Sequence, residues 1–287
     1  MMILQETQTL PNGVEIPQLA LGTWMIDDDK VADAVKAAID IGYRHIDTAQ
    51  AYGNERGVGE GVRTSGVPRD QLFVQTKLDA GVKDYEGAKA AIEGSLETLG
   101  LDYIDLLVIH SPQPWDQFGG EDRFFEGNLA AWKAMEEALD AGKVRAIGVS
   151  NFQKEDLDNL LQNASVKPMI DQVLAHVGNT PFDLIEHARA NDMLVEAYSP
   201  IGHGKILENS EIKDIAASYD VSVPQLCIRY VLQLGLLALP KTANPDHMKT
   251  NADVDFEISD ADMETLKGIT AKDYGDASVF PVYSGAA

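Results

Sequence analysis

Leu106-Leu107-Val108-Ile109-His110 is a run of four apolar residues that ends at a histidine, and it is the strongest indication of architecture in this chain. A strand with one face in water alternates apolar and polar residues, whereas a parallel strand covered on both faces is apolar throughout. Similar short runs recur and predict eight strands: Leu19–Gly22, His45–Asp47, Leu72–Thr76, Ile104–Ile109, Val144–Ser150, Met169–Val173, Leu194–Tyr198 and Leu236–Pro240.

Longer segments with helical spacing separate these strands. In Lys30–Ile41 apolar residues recur every three or four positions, and Gly42 is suited to end the helix. Eight alternations of strand and helix predict the α/β class, as a single (β/α)8 TIM barrel domain spanning residues 1–287. Further helices are predicted at Gly87–Leu99, Leu129–Ala141, Phe182–Asn191 and Gln225–Leu234, with an extended loop at Gly119–Asn128.

The N-terminal segment and the glycine pattern refine this fold. Asn12-Gly13, flanked by apolar residues, predicts a β-hairpin ahead of the barrel. An open doubly wound sheet is the competing architecture, but no Gly-x-Gly-x-x-Gly follows an early strand. The run Gly57-Val58-Gly59-Glu60-Gly61 has the wrong third spacing and lies within a helical pattern.

Composition excludes several classes of function. Acidic residues outnumber basic ones 46 to 23, so the formal charge is −23, which disfavours nucleic acid and anionic membrane partners. Cys227 is the one cysteine, in an apolar stretch, so neither an internal disulfide nor a multi-cysteine metal site is expected. The first ten residues lack the pattern of a signal peptide, which predicts a cytoplasmic protein.

Polar or ionisable residues stand where the apolar runs end. The carboxyl ends of barrel strands meet on one face, where the active sites of such barrels lie. We therefore expect the side chains after seven successive runs to converge, with Tyr52 on the loop after the first: Asp47, Thr76-Lys77, His110, Ser150-Asn151, Asp171-Gln172, Tyr198-Ser199 and Lys241-Thr242.

Four of these groups suit the reduction of a carbonyl compound. Hydride addition leaves negative charge on the oxygen, which then needs a proton donor. The phenol of Tyr52 has an ordinary pKa of about 10, and the ammonium of Lys77 is expected to lower it. Asp47 is expected to hold that lysine charged, and His110 to orient the substrate oxygen.

Each residue alone also has an ordinary structural explanation. His110 by itself suggests a hydrogen-bonded core histidine, and Lys77 a strand end that reaches solvent. Tyr52 by itself suggests packing, and Asp47 a helix cap. Their predicted convergence on one rim favours the functional interpretation.

The same residues resemble the aldo-keto reductase family. Gly42-Tyr43-Arg44-His45-Ile46-Asp47-Thr48-Ala49, followed by Tyr52, Asn54 and Glu55, is similar to its most specific motif. The resemblance extends over nearly the whole chain, through Gly148-Val149-Ser150-Asn151-Phe152, Tyr198-Ser199-Pro200 and Leu239-Pro240-Lys241. The chain most resembles bacterial members described as 2,5-diketo-D-gluconate reductases.

The resemblance implies a monomer that reduces a small carbonyl compound with NADPH. It implies that Tyr52 is the general acid, that Lys77 and Asp47 tune it, and that His110 orients the carbonyl. It also implies contacts with the cofactor. The nicotinamide carboxamide would be bound by Ser150, Asn151 and Gln172, the nicotinamide face would stack on Tyr198, and the substrate mouth beside the nicotinamide would be formed by Thr23 and Trp24. The pyrophosphate would lie along Ser199, Pro200, Ile201, Gly202 and His203, the 2′-phosphate would be held by Lys241 and Thr242, and the adenine would contact Asn251.

Some positions depart from the family pattern. His247 stands where the family has an arginine, whose fixed charged fork grips phosphate better than a mostly neutral histidine. We therefore expect weaker preference for NADPH and measurable activity with NADH, unless Lys249 compensates. Asp171 replaces an asparagine and places an acidic group near the carboxamide site.

Two segments are expected to shape the substrate pocket. Ser111 replaces a tryptophan that walls the pocket in the family, which predicts a roomier, more polar pocket and polar sugar-derived or short dicarbonyl substrates. Trp115 is a candidate to replace that wall from the loop. The tail Tyr274–Ala287 offers Phe280 and Tyr283 as substrate contacts, or else packs elsewhere.

Two other functions compete with reduction. A non-catalytic nucleotide-binding protein on the same barrel has no need of the acid–base set formed by Tyr52, Lys77, Asp47 and His110. A metal-dependent hydrolase or an isomerase on a barrel is the other alternative. The sequence has no His-x-His pair on an early strand, so no metal site is predicted.

Overall fold

A computed structural model describes residues 2–284, and its central element is a barrel of eight parallel strands. Each strand pairs with the next along the chain, in the order expected for successive βα units. The barrel strands are β3 (Ala20–Gly22), β4 (His45–Asp47), β5 (Phe73–Leu78), β6 (Ile104–Ile109), β7 (Val144–Ser150), β8 (Ile170–Leu174), β9 (Leu194–Tyr198) and β10 (Leu237–Leu239), preceded by the antiparallel hairpin β1 (Thr7–Thr9) and β2 (Glu15–Pro17).

Parallel bridges close the barrel between its first and last strands. Leu19 pairs with Ala238, and Gly22 pairs with Lys241. The backbone N–H of Gly22 donates to the carbonyl of Pro240 at 3.0 Å. The predicted barrel and hairpin are both confirmed.

Helices follow the strands and surround the barrel. They are α1 (Asp28–Ile41), α2 (Glu55–Thr64), α3 (Tyr85–Leu99), α4 (Phe125–Asp140), α5 (Lys154–Asn163), α6 (Phe182–Ala190), α7 (Ser210–Ser218), α8 (Val223–Gln233), α9 (Pro245–Ala252) and α10 (Asp260–Gly268). Helix α9 packs against both α8 and α1, so it fills the gap outside the closing strands. No helix within residues 2–284 is long and apolar enough to cross a membrane.

The glycines of α2 are explained by helix packing. A Cβ at Gly59 would lie 1.9 Å from the carbonyl oxygen of Leu99, at the end of α3. A Cβ at Gly57 would lie 2.2 Å from the carbonyl oxygen of Asp28, at the start of α1. The glycines therefore let three helices approach closely, and the helical interpretation of this run is correct.

The predicted boundaries differ from the structure by one or two residues in several elements, and by more in the loop after β6. The loop expected over Gly119–Asn128 ends at Phe124, because α4 already begins at Phe125. The backbone N–H of Asn128 donates to the carbonyl of Phe124 at 2.8 Å, which closes the first helical turn. The first turn of α4 contains polar residues and a glycine, which are typical of loops, and this is why the sequence predicts a loop there. The side chain of Asn128 is nevertheless buried and hydrogen-bonded.

Two other residues behave as ordinary core. Trp132 is fully buried on α4 and donates from Nε1 to the carbonyl of Val166 at 2.8 Å. Cys227 is buried in α8, and burial raises the pKa of its thiol to about 12. Both residues therefore stabilise the structure away from the site.

Candidate active site

The carboxyl ends of the barrel strands surround a cavity of about 280 Å³. Most of the side chains predicted to converge do so here, because parallel strands in register end on the same face of the barrel. The cavity is lined by Gly22, Trp24, Asp47, Ala51, Tyr52, His110, Trp115, Ser150, Asn151, Gln172, Tyr198, Ser199, Leu239, Lys241, Phe280, Pro281, Val282 and Tyr283.

Lys77 lies directly beneath this cavity and is fully buried. Its Nζ donates to Asp47 Oδ1 at 2.6 Å and to the carbonyl of Thr48 at 2.9 Å. A third hydrogen bond joins Nζ to the hydroxyl of Tyr52 at 3.2 Å. The Tyr–Lys–Asp arrangement expected from the sequence is therefore present, on β4, β5 and the short 3₁₀ helix Gln50–Tyr52.

The electrostatics of this trio differ in one respect from the expectation. Burial lowers the pKa of Lys77, but Asp47, Tyr52 and the hydrogen bonds to both outweigh it, so the pKa rises and the group is an ammonium. Burial raises the pKa of Tyr52, and the attraction of Lys77 only partly opposes this. Tyr52 is therefore a phenol that holds its proton, and Lys77 is the neighbour that favours its phenolate form.

His110 stands beside the tyrosine with its ring between two aromatic rings. Its centroid lies 5.6 Å from that of Tyr52 and 5.1 Å from that of Trp115. Burial and the nearby Lys77 ammonium hold the pKa of His110 well below its usual range, so the imidazole is neutral. Nδ1 has no hydrogen-bond partner among the described residues.

Below the lysine, buried polar side chains continue into the barrel. Gln172 Nε2 donates to Asp47 Oδ1 at 3.2 Å and to Glu196 Oε2 at 2.7 Å. Gln75 Nε2 also donates to Glu196 Oε2 at 2.7 Å, and its Oε1 is 3.0 Å from Nε2 of His45. Burial raises the pKa of Glu196.

Sequence reasoning missed this network. The available signal was the two-residue spacing of His45 with Asp47 and of Gln75 with Lys77, which points both members of each pair to the same face of a strand.

The residues predicted to hold the carboxamide lie together on one wall. Ser150 Oγ donates to the carbonyl of Gln172 at 2.8 Å, and Asn151 Nδ2 donates to the carbonyl of His110 at 3.0 Å. The hydroxyl of Tyr198 donates to Asn151 Oδ1 at 2.7 Å. Asn151 has φ of +61°, a left-handed conformation that asparagine tolerates better than most residues.

The residues predicted to reach the phosphates lie farther out. Lys241 follows β10 and lines the cavity, while Thr242 accepts from the backbone of Asn244 at 3.0 Å. His247 is exposed in the first turn of α9, and Asn251 is buried one turn later. Lys249 is exposed and lies 3.8 Å from Asp246.

Some predicted cofactor contacts do not line the cavity. Thr23 is fully buried, and its hydroxyl donates to the carbonyl of Asp47 at 2.9 Å. Its role in this structure is to hold β4. Pro200, Ile201 and Gly202 follow Ser199 in the turn after β9, outside the cavity lining.

Comparison with known proteins agrees with this geometry. The model of the aldo/keto reductase family matches residues 18–271. Glyoxal reductase of Bacillus subtilis is 40% identical over 268 residues, covering 93% of each chain. An aldo-keto reductase of Brucella melitensis superposes with a TM-score of 0.85 at 36% identity, covering 91% of this chain and 98% of its own. An aldo-keto reductase of Bombyx mori, solved in complex with NADP, superposes with a TM-score of 0.84 at 33% identity, covering 97% and 98%.

The chain belongs to the aldo-keto reductase family. The predicted family, and with it the reduction of carbonyl compounds by NADPH, is confirmed. The assignment to 2,5-diketo-D-gluconate reductases stays a prediction.

The substrate side of this reductase differs from the expectation at Ser111. Ser111 is fully buried and accepts from the backbone N–H of Gln113 at 3.3 Å, outside the cavity lining. The chain turns after β6, so Trp115 stands against His110 instead. Ser111 therefore does not make the cavity lining more polar, and Trp115 forms an aromatic wall from the loop, as the alternative predicted.

The C-terminal tail covers the cavity of this reductase. Phe280 packs on Trp24 with ring centroids 4.9 Å apart, and the hydroxyl of Tyr283 lies 2.8 Å from Ser199 Oγ. Both residues line the cavity, as predicted for substrate contacts. Residues 285–287 of the predicted tail lie outside the described residues.

Asp171 adds no charge to the carboxamide wall. Its side chain is fully buried, and a backbone hydrogen bond from Phe152 only partly stabilises its charged form. Burial raises its pKa well above the usual range, and the nearby carboxylate of Asp156 raises it further. The acidic group expected near the carboxamide site is therefore buried, and its raised pKa favours the neutral form.

Proposed function

We propose that Tyr52 is the proton donor in the reduction of a small, uncharged aldehyde or ketone by this enzyme. The observation that carries the proposal is the position of Lys77 Nζ, which lies 2.6 Å from Asp47 Oδ1 and 3.2 Å from the hydroxyl of Tyr52. A phenol at the wall of a cavity, hydrogen-bonded to a buried ammonium, is suited to protonating an oxygen that gains negative charge.

The residues around the cavity fit the cofactor NADPH, which supplies the hydride when it is bound. Ser150, Asn151 and Gln172 offer the hydroxyl and amide groups that a carboxamide needs. Lys241 makes no ion pair with a described residue, and burial lowers its pKa, as expected for a cation that lacks an anionic partner. A phosphate group would supply that partner.

The chain's own residues account for the movement of the proton. Tyr52 transfers its hydroxyl proton to the carbonyl oxygen of the substrate, and Lys77 stabilises the phenolate that remains. Asp47 keeps Lys77 charged during this step. His110, which is neutral, orients the carbonyl oxygen without competing as an acid.

The charge of the cavity lining supports an uncharged substrate. Among the described residues that line the cavity, Asp47 is the one carboxylate and Lys241 is the one lysine or arginine. Lys241 is assigned to the cofactor. A carboxylated sugar such as a diketogluconate would therefore find no free cation among the described lining residues. The aromatic rings of Trp24, Trp115 and Phe280 favour apolar groups. The name of the related Bacillus subtilis protein, glyoxal reductase, adds small uncharged dicarbonyl compounds to the candidates.

Replacing Tyr52 with phenylalanine tests the proposal. NADPH affinity, followed by quenching of tryptophan fluorescence, is expected to stay within a few-fold of wild type. Turnover of methylglyoxal and 4-nitrobenzaldehyde is expected to fall by at least ~100-fold, the range for loss of a general acid. Tyr85→Phe removes a surface hydroxyl that donates to Glu137 and is the matched control.

The outcomes separate the competing functions. Near-normal turnover of Tyr52→Phe would mean that another group donates the proton. A wild-type protein that binds NADPH but reduces neither aldehyde would be the non-catalytic binding protein.

We also propose that the enzyme is a cytoplasmic, single-domain monomer.

A further inference from the structure

The backbone after β6 is held by side chains from three other segments. Three successive carbonyls each accept a hydrogen bond: that of His110 from Asn151 Nδ2 at 3.0 Å, that of Ser111 from Lys83 Nζ at 2.8 Å, and that of Pro112 from Asn128 Nδ2 at 2.9 Å. The donors come from the loop after β7, the loop after β5 and the first turn of α4. Asn151 lines the cavity, whereas Lys83 and Asn128 hold the segment from outside the cavity lining.

Lys83 and Asn128 act as one unit. Lys83 Nζ also donates to Asn128 Oδ1 at 2.9 Å, so the two side chains orient each other. Gly127 permits this contact, because a Cβ there would lie 2.8 Å from the carbonyl oxygen of Lys83. Burial lowers the pKa of Lys83 to about 7, although Asp79 and Asp156 oppose this, and neither forms an ion pair with it.

The segment that Lys83 holds carries two residues of the cavity wall. His110 begins it, and Trp115 lies five residues later with its ring perpendicular to the imidazole. Lys83 itself does not line the cavity. An effect of Lys83 on the reaction must therefore be exerted through the spacing of these two rings.

We propose that Lys83 is a positioning residue that sets the separation of Trp115 from His110, and thereby the selectivity of the enzyme for carbonyl compounds with a large apolar group. This inference rests on the proposed function. A large apolar group on the substrate packs against the ring of Trp115 and so depends on its position, whereas a substrate of three carbons has little apolar surface to place there.

The test compares 4-nitrobenzaldehyde with methylglyoxal in Lys83→Met, which keeps the length of the side chain and loses both hydrogen bonds. We expect kcat/KM for 4-nitrobenzaldehyde, divided by kcat/KM for methylglyoxal, to fall about fivefold or more. The fall is expected to come mainly from a higher KM for 4-nitrobenzaldehyde. NADPH affinity is expected to be unchanged. Lys133→Met, at an exposed position on α4, is the matched control.

A double-mutant cycle shows whether the effect passes through Trp115. We expect Trp115→Ala alone to lower the same ratio, and Lys83→Met to add nothing further in that background. Lys83→Gln, which retains a shorter donor, serves as a second variant if the methionine variant does not fold, and it is expected to lower the ratio less.

Equal losses for both aldehydes, or an unchanged ratio, would overturn the inference. An additional loss in the Trp115→Ala background would also contradict it. A wild-type enzyme that reduces neither aldehyde would reject the proposed function and this inference with it. An active wild type paired with an unchanged ratio in Lys83→Met would reject the role of Lys83 alone.

Discussion

The catalytic trio and the phosphate side of the cavity differ in how their charges are satisfied. Lys77 is fully buried and has three hydrogen-bond partners within the protein. Lys241 and His247 are exposed, and neither forms an ion pair with a described residue. The ammonium of Lys77 is therefore paired within the folded structure, whereas Lys241 and His247 have no ion-pair partner among the described residues. Substitution of Lys77 should alter stability and turnover together, while substitutions of Lys241 and His247 should alter only cofactor affinity.

Lys77→Met should give the largest effect. It removes the ammonium next to Tyr52, and we expect kcat to fall by about 10²- to 10⁴-fold. It also leaves the buried Asp47 without its counter-ion, which costs about 3–5 kcal/mol of unfolding free energy. Steady-state kinetics and urea unfolding measure the two losses.

Pairing this substitution with Asp47→Asn is the control. The double variant should recover much of the stability but none of the activity, because the unpaired charge is removed with its partner. A Lys77→Met protein with wild-type stability would show that the interior does not depend on this ion pair.

Lys241→Met should weaken NADPH binding with no loss of stability. Hydrogen bonds to charged groups contribute about 1.5–3 kcal/mol, so we expect the Kd for NADPH to rise about 10- to 100-fold. NADH lacks the 2′-phosphate, and its Kd should hardly change. Fluorescence titration and the Tm of the cofactor-free protein check both points. Equal weakening of both cofactors would place Lys241 elsewhere along the nucleotide.

His247→Arg should have a smaller and opposite effect. Exposed charge pairs contribute about 0.2–1 kcal/mol, so the ratio of kcat/KM with NADPH to that with NADH should rise up to about fivefold. Lys249→Ala tests whether that lysine already compensates for the missing arginine. If the ratio falls in Lys249→Ala and does not rise in His247→Arg, Lys249 holds the phosphate.

Asp171→Asn should produce the smallest change, and it concerns stability alone. Because the folded-state pKa of Asp171 is raised, the folded protein keeps a proton that the unfolded chain loses, and stability falls as pH rises above about 4. The asparagine variant has no such proton. We expect equal Tm values near pH 4 and an advantage of about 2–4 °C for the variant at pH 8. A difference that does not change with pH would mean that the acid is not buried as described.

Much of the catalytic side could be predicted from the sequence. Apolar runs that end in Asp47, Lys77 and His110 define both the strands and the face on which those side chains meet. Each apolar run is a local feature of the sequence, so it can be recognised without knowledge of the rest of the fold. Even the pairing of Tyr52 with Lys77 follows once strand ends are aligned.

The remaining features depend on contacts that no local pattern contains. Ser111 lies next to His110 in sequence, but the turn after β6 directs it away from the cavity and brings in Trp115. The pKa of Tyr52 reflects its burial as much as its charged neighbour. Glu196 is buried among side chains from three other strands, which become neighbours only in the closed barrel.

The tail that carries Phe280 and Tyr283 lies beyond residue 271, where the family match ends, and its residues up to Ser284 contribute no strand to the barrel. Evolution can therefore lengthen, shorten or replace this segment without disturbing the groups that transfer the proton. A change in this segment can therefore admit a new substrate while Tyr52, Lys77, Asp47 and His110 stay as they are.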